Sequence, residues 1–395
     1  MNFAKHWAAT LDDYAIDLAW SPDACLPGQG SLLAVASAAG GITLYDAATG
    51  AVKHVLPGHA DGANCLAWMP KVGRIVPNEP RSPSAHPADS PYLLATGGQD
   101  GCVRFWNAAT GAQTAEVKLD NAWVEHLAWQ VGRVIPNAPS VAAGDERRIK
   151  DNPPYLFAAA GKKLVALKPD GSLAHTFPEA PKTISALALS QVGRVVPDEP
   201  RAPSAHPEDS PYLAAGYFGG VCVWDATTFT AQKEFSYGNA IYALTWSPDG
   251  RWLVAGCHDN AVHLWVPAED LELHMSGYET RLKELSFSHD SKWLATGGGK
   301  DVCVWDCVGA GPEGREPLQL PQAARTTAVA FQHQHSLLAT GDAAGTFTLW
   351  GPTRKNPMVA EVKMPSAATK FAWSADDSLL AVGTEKGVVY VFKTA

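Results

Sequence analysis

Three arginines, Arg74, Arg133 and Arg194, hold the same place in three related stretches, each preceded by Val-Gly and followed by two apolar residues and a proline. Guanidinium groups in a row can clamp carboxylates or phosphates through paired N–H donors. They can equally bond the carbonyls of a neighbouring stretch and serve only the fold. Two of the stretches add Arg81 and Arg201, and also His86 and His206, each three residues before an aspartate, Asp89 and Asp209. His-x-x-Asp is a weak metal-ligand signal, and a solvated loop histidine is the simpler account. Cys303-x-x-x-Cys307 is the only close cysteine pair. Cys303 and Cys222 share a place two residues before a tryptophan, which other copies fill with Thr43, Arg104, His263, Thr348 or Tyr390. That mixture describes a half-buried strand position. Gly297-Gly298-Gly299-Lys300 starts like a phosphate loop but lacks the hydroxyl that should follow, and it lies between two strands instead of before a helix. No Gly-x-Ser-x-Gly elbow or His-Glu-x-x-His helix is present. No catalytic residue, cofactor or metal is therefore assigned, and the chain is read as non-enzymatic.

The composition narrows the classes further. The chain has 395 residues, 46% hydrophobic and 18% charged, enough apolar surface for a core and too little charge for a disordered chain. A net charge of -9 argues against nucleic acid as the partner, because that binding rests on cations neutralising phosphates. No apolar run approaches a membrane span, and the first residues carry no apolar stretch of signal-peptide length. The seven cysteines are an odd number, set mostly in apolar runs, which fits reduced thiols. A cytoplasmic, monomeric protein is expected, with no membrane contact.

The elements that must position these residues come from a repeat. An apolar strand ends in an aromatic residue. A turn follows, then a strand of small residues such as Leu93–Gly98, a short turn, and a strand ending in Trp or Trp-Asp. First strands end at Trp20, Trp68, Trp129, Leu189, Trp246, Phe287, Phe331 and Trp373, which makes eight copies. The third copy, at Leu164–Lys168, has lost its aromatic. Turns such as Ser247-Pro248-Asp249-Gly250 use proline to preset φ and Gly or Asp to close. Short strands with regular turns mean an all-β chain.

The pattern resembles the WD-repeat family of β-propellers over essentially the whole chain. The resemblance is carried by Trp224-Asp225, Trp305-Asp306, Gly58-His59 and the Ser-Pro-Asp-Gly turns. It implies a single propeller over 1-395. With the three inserts removed, about 42 residues remain per copy for eight blades, within the family's range of about 40 to 45. Seven blades is the fallback. Only one Gly-His pair is present, so the network that the family builds from its Asp, His, Ser and Trp is expected to be incomplete in most blades. The last copy lacks an outer strand after Lys393, while Phe3–Thr10 reads like the outer strand Val52–Leu56. The first strand is therefore expected to close the ring on the last blade, since an open ring exposes strand edges.

The inserts lie at 72-92, 131-155 and 192-212, between the first and second strands of copies two, three and four. The first and third agree at 17 of 21 positions. Prolines make them stiff, and three adjacent copies place them side by side on one face. There they form a binding ledge, or they are passengers of blade duplication; the sequence leaves both open. On the other face the resemblance places Tyr14, Trp123, Tyr242, Arg281, Arg325 and Lys370 where propellers often contact peptides. The implied function is a protein-interaction scaffold binding a protein or peptide. The competing class is a metal- or small-molecule-binding or enzymatic propeller using the channel or the ledge.

Overall fold

The computed structural model describes residues 3–22, 30–70, 93–130, 154–190 and 211–394. These residues form 32 strands and no helix. The strands make eight four-stranded antiparallel sheets. Blade one is β2 (Ala15–Trp20), β3 (Leu32–Ser37), β4 (Ile42–Asp46) and β5 (Val52–Leu56), in that spatial order. Each blade's first strand is innermost and touches its neighbours on either side. The last contact, between β30 (Ala368–Trp373) and β2, closes the ring.

Closure is by the first strand. β1 (Phe3–Thr10) pairs with β32 (Val388–Thr394) and supplies the outer strand of blade eight, from Phe3 opposite Thr394 to Thr10 opposite Val388. Trp7 on this strand is buried and donates its indole N–H to the Ala47 carbonyl of blade one at 2.9 Å. Its ring covers Gly50, whose φ is 71° and where a Cβ would lie 2.7 Å from the indole. Only glycine meets both demands there.

The hydrophobic core is divided into eight clusters, each lying between two adjacent blades. Second and third strands are buried nearly throughout, because both sheet faces pack on neighbours. Outer strands alternate exposed and half-buried residues.

The abundance of tryptophan has a structural use. Trp20, Trp68, Trp129, Trp246 and Trp373 end innermost strands, and each donates its indole N–H to a carbonyl of the preceding blade. The acceptors are Ala372, Ala19, Ala67, Ala188 and Ala330, at 2.8 to 3.4 Å. Leu189, Phe287 and Phe331 hold this place in blades four, six and seven and have no such donor.

The network implied by Gly58-His59 is complete in blade two. His59 meets Asp100 at 2.9 Å through Nδ1 and Thr96 Oγ1 at 2.9 Å through Nε2, and Trp106 donates to the same hydroxyl at 3.0 Å. Blades six and seven rebuild it with other residues. In blade six the Tyr278 hydroxyl meets Thr296 at 2.9 Å and accepts from Trp305 at 2.9 Å. In blade seven Thr340 donates to Gln322 at 3.0 Å and accepts from Trp350 at 2.8 Å.

Candidate functional site

The innermost strands present one rim where they begin and another where they end. At the first rim, the turn joining second and third strands bonds back to the residue just before the first strand. Ala38 donates to Tyr14, His258 to Ala240, Ala343 to Arg325 and Glu385 to Ala367. Both sets of turns therefore share this rim.

Seven of the eight innermost strands carry a β-bulge at their second residue. The bulge frees the second side chain to reach the next blade. Thr369 donates to the Ala15 carbonyl at 2.6 Å, Asn64 to Val124 at 3.2 Å and Ser185 to Ile241 at 2.5 Å. Below it, the sixth residue is buried in seven of the eight strands, and because side chains alternate, the third and fifth turn to the axis. The fifth is Ala, Ser or Thr in every blade, which lets eight strands crowd together. The third is polar in five blades (Asp17, Cys65, His126, Glu284 and Lys370) and alanine in the others.

The six residues expected to form this binding surface fall at three depths. Tyr14, Trp123, Arg281 and Arg325 stand just before innermost strands and are exposed on the rim, Tyr14 at 41% and Trp123 at 51%. Tyr242 is the second residue of its strand, in the bulge. The Arg281 guanidinium and the Lys283 ammonium each lie 5.5 Å from its ring centroid, which is cation–π distance. Lys370 lies deepest, as a third residue, and its Nζ is 3.3 Å from Asp17 Oδ1. Asp17 accepts from Leu66 N of blade two through its other oxygen at 2.9 Å, so the pair joins blades eight, one and two. Asp17 raises the Lys370 pKa. Burial holds the His126 imidazole down to about 4, and the Lys370 charge adds to the effect. At neutral pH the axis thus carries a charged lysine and a neutral histidine.

Two rim residues were missed in the sequence. Phe218, 54% exposed, tips the turn between second and third strands of blade four, and Lys283 lies beside Tyr242. An aromatic in a Tyr-Phe-Gly-Gly turn, where polar residues are usual, is the signal that marks Phe218. Tyr14, Trp123 and Phe218 are the only large aromatics strongly exposed among the described residues, and all three lie on this rim.

The opposite rim holds the ends of the inserts. Met69 bonds Leu93, Gln130 bonds Tyr155 and Ser190 bonds Tyr212, closing the described strands on that side. Arg74, Arg81, His86, Arg133, Arg194, Arg201 and His206 lie outside the described residues, as does the expected packing of the inserts. The same rim bears a cavity of about 570 Å³ across blades six to eight, lined by His289, His335, Arg354, Asp377 and Thr394 among others. Asp377 is buried there and accepts from the backbone N–H of His333 at 2.8 Å, Gln334 at 2.7 Å and His335 at 3.1 Å.

Comparison with known proteins agrees with this architecture. The repeat family described as WD domain, G-beta repeat matches residues 84–107, 229–266 and 271–306. A guanine nucleotide-binding protein subunit beta from Arabidopsis thaliana is 23% identical over 346 residues, which is 83% of this chain and 80% of the relative. A Denticleless protein homolog from Xenopus tropicalis is 27% identical over 209 residues, 43% of this chain and only 29% of the relative. The crystal structure of the computationally designed Ika8 protein superposes with a TM-score of 0.70 at 17% identity, covering 99% of this chain and 100% of that one. The chain is an eight-bladed β-propeller that carries WD repeats at the matched stretches.

Proposed function

We propose that this propeller is a non-catalytic interaction platform that holds a protein or peptide on the rim carrying Tyr14, Trp123, Phe218 and Tyr242. WD-repeat propellers typically serve as interaction scaffolds. The observation that supports this rim is the gathering there of all three aromatics strongly exposed among the described residues, next to the cations Arg281, Lys283 and Arg325. Aromatic and arginine side chains are the usual anchors of protein interfaces. Their chemistry suits a segment with apolar and acidic side chains: apolar groups cover the rings, and carboxylates meet the cationic arc of blades six and seven. The reading includes a monomeric, cytoplasmic chain, and the six described cysteines, all unpaired, fit a reducing compartment.

Affinity purification with three forms of the protein tests the reading: the unaltered chain, the double variant Trp123→Ala/Tyr242→Ala, and a chain with 72-92 and 192-212 replaced by four-residue turns. The double variant should lose at least tenfold in partner affinity, about 1.4 kcal/mol, with little change in melting temperature, because neither residue is in the core. The trimmed chain should keep its partners. The opposite result, with binding lost on trimming and intact in the double variant, moves the interface to the insert ledge with Arg74, Arg133 and Arg194.

A further inference from the structure

We infer that blade five carries a site for one divalent transition-metal ion, zinc fitting best, held by Asp259, His263 and His274. Potential ligand atoms of the three residues lie within 4.8 Å of one another. Comparison with blade two shows why they meet. There Asp100, Arg104 and Glu116 occupy the matching places, and the Arg104 guanidinium stands between the carboxylates, 2.5 Å from Asp100 and 2.8 Å from Glu116. Arg104 is opposite Glu116 in the ladder, as His263 is opposite His274. Blade five keeps the turn aspartate and replaces the arginine and the glutamate with imidazoles. The fixed cation at the centre is gone, and three lone-pair donors surround the place it held.

The buried histidine supplies the second observation. His263 is only 7% exposed, and its Nε2 is buried with no hydrogen-bond partner. Leaving such an atom unpaired is unfavourable, and a bound ion would relieve it. Its Nδ1 lies 3.2 Å from Glu272 Oε1. A proton on Nδ1 donated to that carboxylate leaves the lone pair on Nε2, the arrangement in which a carboxylate orients a metal-binding imidazole. The Tyr237 hydroxyl donates to Asp259 and its ring centroid is 4.1 Å from that of His263, so it props both ligands.

The donor set selects the ion. Two imidazoles and a carboxylate suit zinc or its first-row neighbours and not magnesium or calcium, which take oxygen. Around zinc, ligands at about 2.0–2.1 Å stand closer together than 4.8 Å, so the set must contract. His263 is fixed by packing, whereas His274 is exposed and Asp259, also exposed, is held only by the Tyr237 hydroxyl, so both can turn onto it. Cys257 is buried with its thiol against the Ala255 carbonyl at 3.7 Å, and the clustered donors are Asp259, His263 and His274 alone. Three protein ligands leave a fourth position open to solvent or to a partner's side chain.

The test uses the full chain stripped by chelator, titrated with Zn²⁺ by calorimetry and with Co²⁺ by visible absorption. We expect one equivalent of Zn²⁺ at micromolar affinity or tighter, and a Co²⁺ spectrum of four-coordinate intensity. His274→Ala and Asp259→Asn, both at exposed positions, should each weaken binding at least tenfold while the metal-free melting temperature stays unchanged. His335→Ala, in the cavity of the opposite rim, should bind as the unaltered chain does. No zinc binding, or equal affinity in the His274→Ala and Asp259→Asn variants, overturns the site.

Discussion

Removal of residues 1-10 should lower the melting temperature by roughly 10 °C or more. The strand they carry is the outer edge of blade eight and also its bond to blade one. Its loss exposes the Val388–Thr394 edge, strips the Phe3 ring from Phe392 and Phe347, at 4.8 and 5.3 Å between centroids, and takes away the buried Trp7 with its bond to Ala47. Loss of a buried tryptophan alone costs about 3–5 kcal/mol. A chain of this size shifts a few degrees or less per kcal/mol, so the sum reaches the stated fall. Trp7→Ala should give about half the effect. Calorimetry on both forms decides the matter, and a truncated chain as stable as the full one would show that the first strand is dispensable to the ring.

Asp377→Ala should cost about 3 kcal/mol, because it leaves three backbone N–H groups of the blade-seven turn without an acceptor. The position is also left-handed, with φ of 59°, which alanine tolerates poorly. Asp377→Asn should lose less, since asparagine accepts that backbone and keeps one carbonyl oxygen. Burial alone would raise this carboxyl, but the donors from His333, Gln334 and His335 outweigh it and bring the pKa down to about 2. With the folded pKa depressed, its contribution is whole above about pH 4, the ordinary range of the group, and is lost as pH falls through about 2. Denaturant melts of the unaltered chain and of Asp377→Ala at neutral pH and near pH 2 should therefore show the gap narrowing in acid, with the φ-dependent part remaining. A stability gap that is the same at both pH values is incompatible with this account.

These two sites differ in how far the sequence revealed them. The eight copies, the closing strand Phe3–Thr10 and the strand order follow from repeated aromatics and turn residues, because each blade solves the same packing problem with the same residue types. Ser247-Pro248-Asp249-Gly250 could be recognised as a turn, and Ser374-Ala375-Asp376-Asp377 follows the same plan, with Ser374 bonding Asp376 at 2.6 Å and a left-handed fourth residue. Nothing local shows that Asp377 also supports a turn of the previous blade. Such contacts depend on how neighbouring blades stand side by side. The same limit hid Tyr278 and Gln322, which do the work of His59 with different chemistry. It also hid the depths of Tyr242 and Lys370: one bulge at the second residue of a strand changes which side chains face the axis. The triad in blade five was out of reach for the same reason. Asp259, His263 and His274 come from a turn and two strands, and their spacing matches no short motif.

The indole bonds between blades run in one sense around the circle, and they are missing on both sides of blade six, where Phe287 and Phe331 stand. That blade also has the shortest strands, Leu285–Phe287 and Leu318–Leu320, and the smallest apolar cluster seals it to blade seven. A closed chain of similar links yields first at its weakest link, so blade six sets the energy of local opening for the whole molecule. Arg281 and Lys283 belong to this same blade. A ligand held by them as proposed would spend part of its binding energy in holding the circle shut, which would link occupancy of the rim thermodynamically to the breathing of the ring.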